Sequence, residues 1–154
     1  MTNGMKKAVA LVLCFVTVFA LCACGSKEEI SKKKFEATAE KLGLTVSLPP
    51  VTPIGVKEVS IIGKASGYDF VWQAEYYLLG SEEDARSVFE QNKAVFQDVS
   101  GTELSTALPS HATYEKTGGG QYIYLSQVGK TFVYVVVDEQ YKSEAKAFIS
   151  EIGY

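Results

Sequence analysis

Cysteine and histidine are almost absent from most of this chain. All three cysteines fall within the first 24 residues, and the only histidine is His111. The rest of the chain therefore has no disulfide framework and no thiolate or histidine-rich metal site. It also contains no recognisable catalytic or cofactor motif, so we expect neither a cofactor nor a bound metal.

An excess of positive charge is also missing. The 15 basic and 18 acidic residues give a formal charge of −3, and removal of residues 1–23 would leave −5. A mildly acidic chain with no basic stripe and no aromatic RNA-binding motif is not expected to bind nucleic acid. The lysine run at 32–34 has glutamates on both sides, so we interpret it as a solvated helix face.

The longest apolar run lies at the N-terminus, over residues 8–21, and ends in the sequence Leu-Cys-Ala-Cys at 21–24. Lys6 and Lys7 precede it, and a positive start before a short apolar core is typical of a secretory signal peptide. The run is shorter than the ~20 apolar residues that a membrane-spanning helix needs. Its last four residues resemble a bacterial lipobox, in which the final cysteine receives the lipid.

We therefore predict cleavage between Ala23 and Cys24 and acylation of Cys24. A cysteine thiolate is nucleophilic enough to form a thioether to diacylglycerol. Two or three acyl chains, such as palmitate, hold a protein firmly to a bilayer where one holds it only marginally. The predicted organisation is a cleaved signal peptide (1–23), a lipidated cysteine with a short tether (24–30) and one domain (31–154). The predicted location is the extracytoplasmic face of the cell membrane, with the membrane bound through Cys24.

The domain is predicted to be α+β, beginning with a helix from Ser31 to about Leu42 and a short strand. Two similar halves follow, each reading strand, strand, helix. The predicted strands are 57–64, 69–79, 121–128 and 131–137, and the helices 81–96 and 138 or 140 to 152. Two such ββα units would form a four-stranded antiparallel sheet with helices mainly on one face. Residues 99–120, rich in Ser, Thr and Gly, are predicted to form a long loop.

Aromatic residues alternate along the predicted strands, with Phe70 expected on the same face as Trp72 and Tyr76. The five that we single out are Trp72, Tyr76, Tyr122, Tyr124 and Tyr134. Valines 133, 135 and 137 make the opposite face of the last strand apolar too, so something must cover both faces. Either the first helix or the 99–120 loop does so, or a tyrosine-rich surface is exposed for a peptide, glycan or protein partner.

Three other sites have a simpler structural interpretation. Glycines 118–120 lack the lysine and the following helix of a phosphate loop, so we interpret them as a loop end. Ser110 and His111 are sequence neighbours, which rarely converge as nucleophile and base. The acidic run at 82–84 is expected at a helix start because carboxylates favour the positive end of the dipole.

With its lipobox and the terminal run VYVVVDEQYKSEAKAFISEIGY, the chain resembles the small uncharacterised lipoproteins of Gram-positive bacteria. In these, an acylated cysteine precedes a domain that ends in a strand pair, an acidic helix start and Gly-Tyr. The resemblance implies a surface lipoprotein and supplies no catalytic residue. We expect a membrane-anchored binding or adaptor domain without enzymatic activity. The alternatives are a small envelope hydrolase using Ser110 and His111, and a structural accessory subunit of a membrane complex.

Overall fold

Seven strands and three α-helices make up the part of the chain that the computed structural model describes, residues 27–47, 52–66 and 69–154. The helices are α1 (Lys32–Lys41), α2 (Glu82–Phe96) and α3 (Lys142–Ile152). The strands are β1 (Thr45–Ser47), β2 (Val56–Ser66), β3 (Asp69–Leu79), β4 (Thr102–Ala107), β5 (His111–Gly118), β6 (Gln121–Val128) and β7 (Thr131–Asp138). A 3₁₀ turn, Glu139–Tyr141, leads from β7 into α3. Among these residues, no helix has the length and apolar character to cross a membrane.

Local sequence signals predicted the helices and several strands correctly. The side chains of Ser31 and Ser81 accept hydrogen bonds from backbone N–H groups three residues on, which fixes the starts of α1 and α2. Gly153 ends α3 in the left-handed conformation, with φ at 95°. The bounds of β3 and β6 are those predicted.

The prediction of a four-stranded sheet is wrong. All seven strands form one antiparallel sheet in the order β1-β2-β3-β7-β6-β5-β4. Residues 99–120 are not a loop, because they supply β4 and β5 at one edge of that sheet. Every residue of β4 is exposed, so this edge strand lacks the apolar alternation by which a strand is recognised in sequence.

The prediction that the helices lie mainly on one face is also wrong. We call the sheet face under α1 and α3 face A, and the opposite face, under α2, face B. Two equivalent ββα units would be related by a two-fold axis between β3 and β7. Because these strands pair antiparallel, that axis would be normal to the sheet. Rotation about it would leave both helices on the same face. The helices α2 and α3 lie on opposite faces, so the two halves are not such a pair.

Face A carries the larger core. An aromatic cluster lies at its centre, with Phe148 of α3 packed edge-to-face on Phe35 at 5.3 Å and on Trp72 at 5.5 Å between ring centroids. Phe35 also packs on Tyr76 at 5.7 Å. Ile30, from the segment before α1, is buried in the same core.

Face B is covered by one helix. The buried core there contains Phe89 of α2 against Tyr114, Leu125 and Phe132 of the sheet. The ammonium group of Lys116, on β5, is buried and donates to the carbonyl oxygens of Phe96 (2.9 Å) and Gln97 (3.0 Å). These bonds fix the end of α2 to the sheet, since a cation favours the negative end of a helix.

Candidate functional site

The residues singled out in sequence lie mostly in the core. Trp72, Tyr76, Tyr122 and Tyr124 are all buried on face A, so the idea that they form an exposed binding surface is wrong. The covering elements are α1 and α3, whose buried side chains pack with these rings in one core. Tyr134 is half-buried on face B. Face B is covered by α2. Of the two covers that we predicted, the first helix lies on face A with α3, and residues 99–120 cover neither face because they form β4 and β5.

Ala23 and Cys24 lie outside the described residues. Ser110 and His111 are brought together, with Oγ and Nδ1 3.3 Å apart. In the described part of the chain, Ser110 is the only hydrogen-bond partner of the imidazole, so no carboxylate orients it as a catalytic triad requires. Glycines 119 and 120 form the tight turn between β5 and β6, with φ values of 60° and 80°.

On face B, the helix α2 packs on β3, β7, β6 and β5. This position leaves an open strip along β2 and β3. The face-B groove lies in this strip and has a volume of about 290 Å³. Its lining residues come from β2 and the turn before it, from β3, from α2 and from β7: Pro53, Ile54, Val56, Glu75, Tyr77, Leu79, Val88, Asn92 and Phe132. Most of these side chains are apolar, and Glu75 is the only charged residue among them.

Glu75 lies on the floor of the groove, between two neighbours on the same face of β3. Its carboxylate accepts hydrogen bonds from the Nε2 of Gln73 and from the hydroxyl of Tyr77. The Tyr77 ring stacks on Phe132 at 6.1 Å, which holds the hydroxyl in place. Burial, followed by the bond to Glu75, raises the pKa of Tyr77, so the phenol keeps its proton and donates it to Glu75.

Exposed apolar side chains continue this strip along face B. Ile54 is fully exposed at one end, and Phe70 is 65% exposed at the other. On α2, Val95 lies seven residues beyond Val88, on the same side of the helix, and is 71% exposed. The face-B groove therefore opens onto a longer apolar strip.

Phe70 reaches face B through a β-bulge. Ala65 pairs with Phe70 and Lys64 with Trp72, so Val71 is an extra residue and the alternation of faces is reset there. Our prediction that Phe70 shares a face with Trp72 is wrong for this reason. The Phe70 ring lies over Gly63, where a Cβ atom would come within 2.8 Å of it.

A second groove, of about 460 Å³, lies on face A between α3 and the β4–β5 edge. Three of the four charged residues that line it, all except Glu139, already have side-chain partners in the protein. Lys146 pairs with Glu115 at 2.8 Å, and the ammonium group of Lys142 donates to the hydroxyl of Thr117 at 3.0 Å. Both lysines also lie over the ring of Tyr122. This groove is polar and most of its charged groups are already paired, so the face-B groove is the better candidate for a ligand.

Sequence reasoning did not assign Gly63, Phe70 or Glu75 to a site. A glycine inside a strand often marks the close approach of another group, which is the signal that Gly63 carried. A carboxylate in the interior of β3, among mostly apolar and aromatic residues, was the signal for Glu75. Within the described residues, no cluster of three or more histidine, cysteine or acidic side chains has a geometry that fits a metal ion.

No family model matches the chain, and no curated protein matches it. Two solved structures show distant similarity. A GTP-binding regulator from Thermotoga maritima is 14% identical, with a TM-score of 0.45, and the match covers 77% of this chain and 83% of that one. The extracellular domain of PknH from Mycobacterium tuberculosis is 10% identical, with a TM-score of 0.41, over 82% and 98%. Similarities this weak support no conclusion about this chain.

Proposed function

We propose that this protein is a lipoprotein anchored through Cys24 to the extracytoplasmic face of the membrane, and that its domain binds a ligand without catalysing a reaction. The signal-like run, the lysine pair before it and the lipobox ending support the anchor. The face-B groove supports the binding role, because exposed apolar strips of this kind usually mark interaction sites.

The observation that carries the binding proposal is the position of Glu75 in an apolar groove. A carboxylate held by Gln73 and Tyr77 keeps a fixed orientation, and the described residues that line the groove include no cation to neutralise it. The ligand chemistry that fits is an apolar body carrying one positively charged group, such as a peptide segment with a lysine. A charge-assisted hydrogen bond of this kind contributes about 1.5–3 kcal/mol.

A binding role fits the described groups better than the envelope hydrolase. Ser110 and His111 are in contact, but the imidazole has no carboxylate partner among the described residues. Neither residue lines the face-B groove. Glu75 stands without a second carboxylate in the groove lining, so paired-acid chemistry of the glycosidase type has no support there.

The anchor is tested by Cys24→Ala in cells, with fractionation and metabolic labelling by a fatty-acid analogue. We expect the variant to remain unprocessed or to leave the membrane fraction, and to lose the label. A Cys22→Ala variant is the matched control and should behave as wild type, since Cys22 lies in the cleaved segment. Membrane-bound Cys24→Ala protein of mature size would refute the anchor.

The groove is tested by titrating the protein with two labelled apolar hexapeptides, one with a central lysine and one with a central glutamate. Wild type should prefer the lysine peptide, and Glu75→Gln should weaken its binding roughly tenfold, as expected for loss of a charge-assisted bond. Glu115→Gln, in the face-A groove, is the matched control and should leave the affinity unchanged. Equal binding of both peptides by the wild-type protein would show that Glu75 does not recognise the charge of the ligand.

A further inference from the structure

The described residues before α1, 27–31, are attached to the body of the domain. The Tyr76 hydroxyl donates to the carbonyl oxygen of Ile30 at 3.2 Å. The backbone N–H of Ile30 donates to the hydroxyl of Tyr154 at 3.3 Å. With the Ile30 side chain also buried, both its backbone and its side chain are held by the core.

The preceding residues are held at the turn between β6 and β7. The carboxylate of Glu29 accepts a hydrogen bond from the backbone N–H of Lys130. Gly129 makes this contact possible, because a Cβ atom there would come within 2.0 Å of the Glu29 carboxylate. The ammonium group of Lys27 donates to the Tyr124 hydroxyl at 3.4 Å and lies over the Tyr154 ring. The predicted tether of residues 24–30 is therefore bound to the domain from Lys27 onward.

These contacts limit how far Cys24 lies from the domain. It is five residues from Glu29, so even a fully extended chain spans at most about 18 Å between them. The 11-residue strand β3 is roughly 35 Å long, so Cys24 cannot reach the opposite end of the sheet. We call the end of the sheet that carries the Gly129–Lys130 turn the anchor end.

We propose that the anchor end lies directly against the lipid bilayer, which fixes the orientation of the domain on the membrane. This inference rests on the proposed acylation of Cys24. The lipid chains hold Cys24 at the bilayer surface, and the bound segment leaves too little chain for the domain to turn over. The β5–β6 turn and the C-terminus of α2 then point away from the membrane.

Apolar side chains at the anchor end fit this contact. Val56 pairs with Leu79, and the backbone N–H of Leu79 donates to the carbonyl oxygen of Lys130, so Ile54 lies at this end. Leu108, 48% exposed, lies in the β4–β5 turn at the same end. Arg86 of α2 holds that turn by donating to the carbonyl oxygen of Leu108 at 3.0 Å.

The anchor end carries charges of both signs. Lys27, Lys34 and Lys130 lie near the bound segment, together with Glu28 and Glu29. The proposed contact therefore depends on chain length and on the apolar residues, and not on attraction to anionic lipid. Vesicles of neutral phosphatidylcholine are accordingly the right test membrane.

The test uses single thiols on the full chain after processing in cells. Acylation blocks Cys24, and the mature chain has no other cysteine, so a new cysteine is the only site for a fluorescent label. We would place it at Ile54, Leu108, Val95 or Leu104, an exposed residue of β4 that lines the face-A groove. Each variant is reconstituted in phosphatidylcholine vesicles containing brominated lipid. We expect quenching at Ile54 and Leu108 at least threefold stronger than at Val95, an exposed apolar residue at the far end.

Inserting 12 Gly and Ser residues after Ser26 provides the control. Such a linker adds roughly 20 Å of flexible chain and should remove the difference between positions. Equal quenching at Ile54 and Val95, with Cys24 shown to be acylated by mass spectrometry, would overturn the orientation and leave the anchor intact. Stronger quenching at Leu104 would place face A on the bilayer and also overturn it. Absence of the acyl group would refute the anchor and the orientation together.

Discussion

The two faces of one sheet have different covers, and neighbouring residues of β3 show the consequence. Tyr76 points to face A, is buried under α1 and α3, and donates its hydroxyl to the backbone of Ile30. Tyr77 points to face B, is half-buried beside α2, and donates its hydroxyl to Glu75. The same residue type is a core element on one face and a wall of the candidate site on the other.

The difference lies in how many elements pack on each face. Two helices and the segment at Ile30 close face A, whereas α2 alone covers face B and leaves the strip along β2 and β3 open. A sheet whose strands are apolar on both sides needs a cover on each. Partial cover leaves half-buried aromatic side chains available to a ligand while the rest of the face stays packed.

The largest expected effect comes from emptying the aromatic cluster of face A. Phe148→Ala should lower the free energy of unfolding by about 4–5 kcal/mol, because it creates a cavity and removes ring contacts with Phe35 and Trp72. Phe89→Ala on face B should cost about 3 kcal/mol, since the ring pairs described on that face do not include Phe89. Urea denaturation measures both.

If Phe148→Ala is too unstable to fold, Phe148→Leu and Phe89→Leu give the same comparison at smaller cost. A face-B variant that loses as much stability as its face-A counterpart would contradict the idea that face A carries the larger share of the core. Circular dichroism on each variant shows whether the native fold persists before denaturant is added.

A smaller effect is expected from alkaline pH. Burial, and then the charge of Glu115 and Tyr154, raises the pKa of Tyr124 on face A to about 12, although Ser126 opposes the shift. Burial also raises the pKa of Tyr134 on face B, with Glu75 adding to it. An unfolded tyrosine titrates near 10, so the folded state holds the proton more tightly and both groups favour folding below about pH 10.

That contribution from Tyr124 is lost as the pH rises from about 10 to about 12. Thermal unfolding followed between pH 8 and 11.5 should therefore show a melting temperature that falls above pH 10. The melting temperature should fall less steeply above pH 10 in Tyr124→Phe than in Tyr134→Phe. The reason is that Tyr134 is only half-buried, so solvent screens its charged form. If both variants reduce the pH dependence of the melting temperature equally, the two faces exclude water to the same degree.

Much of the fold could be predicted from local chemistry. Ser31, Ser81 and Gly153 specify helix ends through single side-chain or backbone properties, so they are readable from the sequence. The edge strand β4 was missed because a fully exposed strand needs no apolar side chain. The face of Phe70 was missed because one extra residue, Val71, resets the alternation, and strand pairing with β2 determines that register.

The candidate site was harder to predict than the fold. The exposure of Tyr77 depends on where α2 lies, and nothing in β3 itself records that position. Lys116 helps to set it, since its buried ammonium group binds the last carbonyl oxygens of α2. Lys116 lies in a polar stretch of the sequence, and nothing in that stretch indicates that its side chain is buried. The anchor at Cys24, by contrast, is predicted from sequence alone and lies outside the described residues.

The smallest effect is expected at the open strip itself. Val95→Ser should change the free energy of unfolding by less than about 0.5 kcal/mol, because the side chain is 71% exposed. Val88→Ser, two turns earlier on the same side of α2, should cost about 1 kcal/mol, because Val88 packs against the face-B core. The pair therefore measures where the cover of face B ends. A larger loss for Val95→Ser that grows with protein concentration would reveal a second copy of the chain on the strip, and the two faces would then be equally covered in solution.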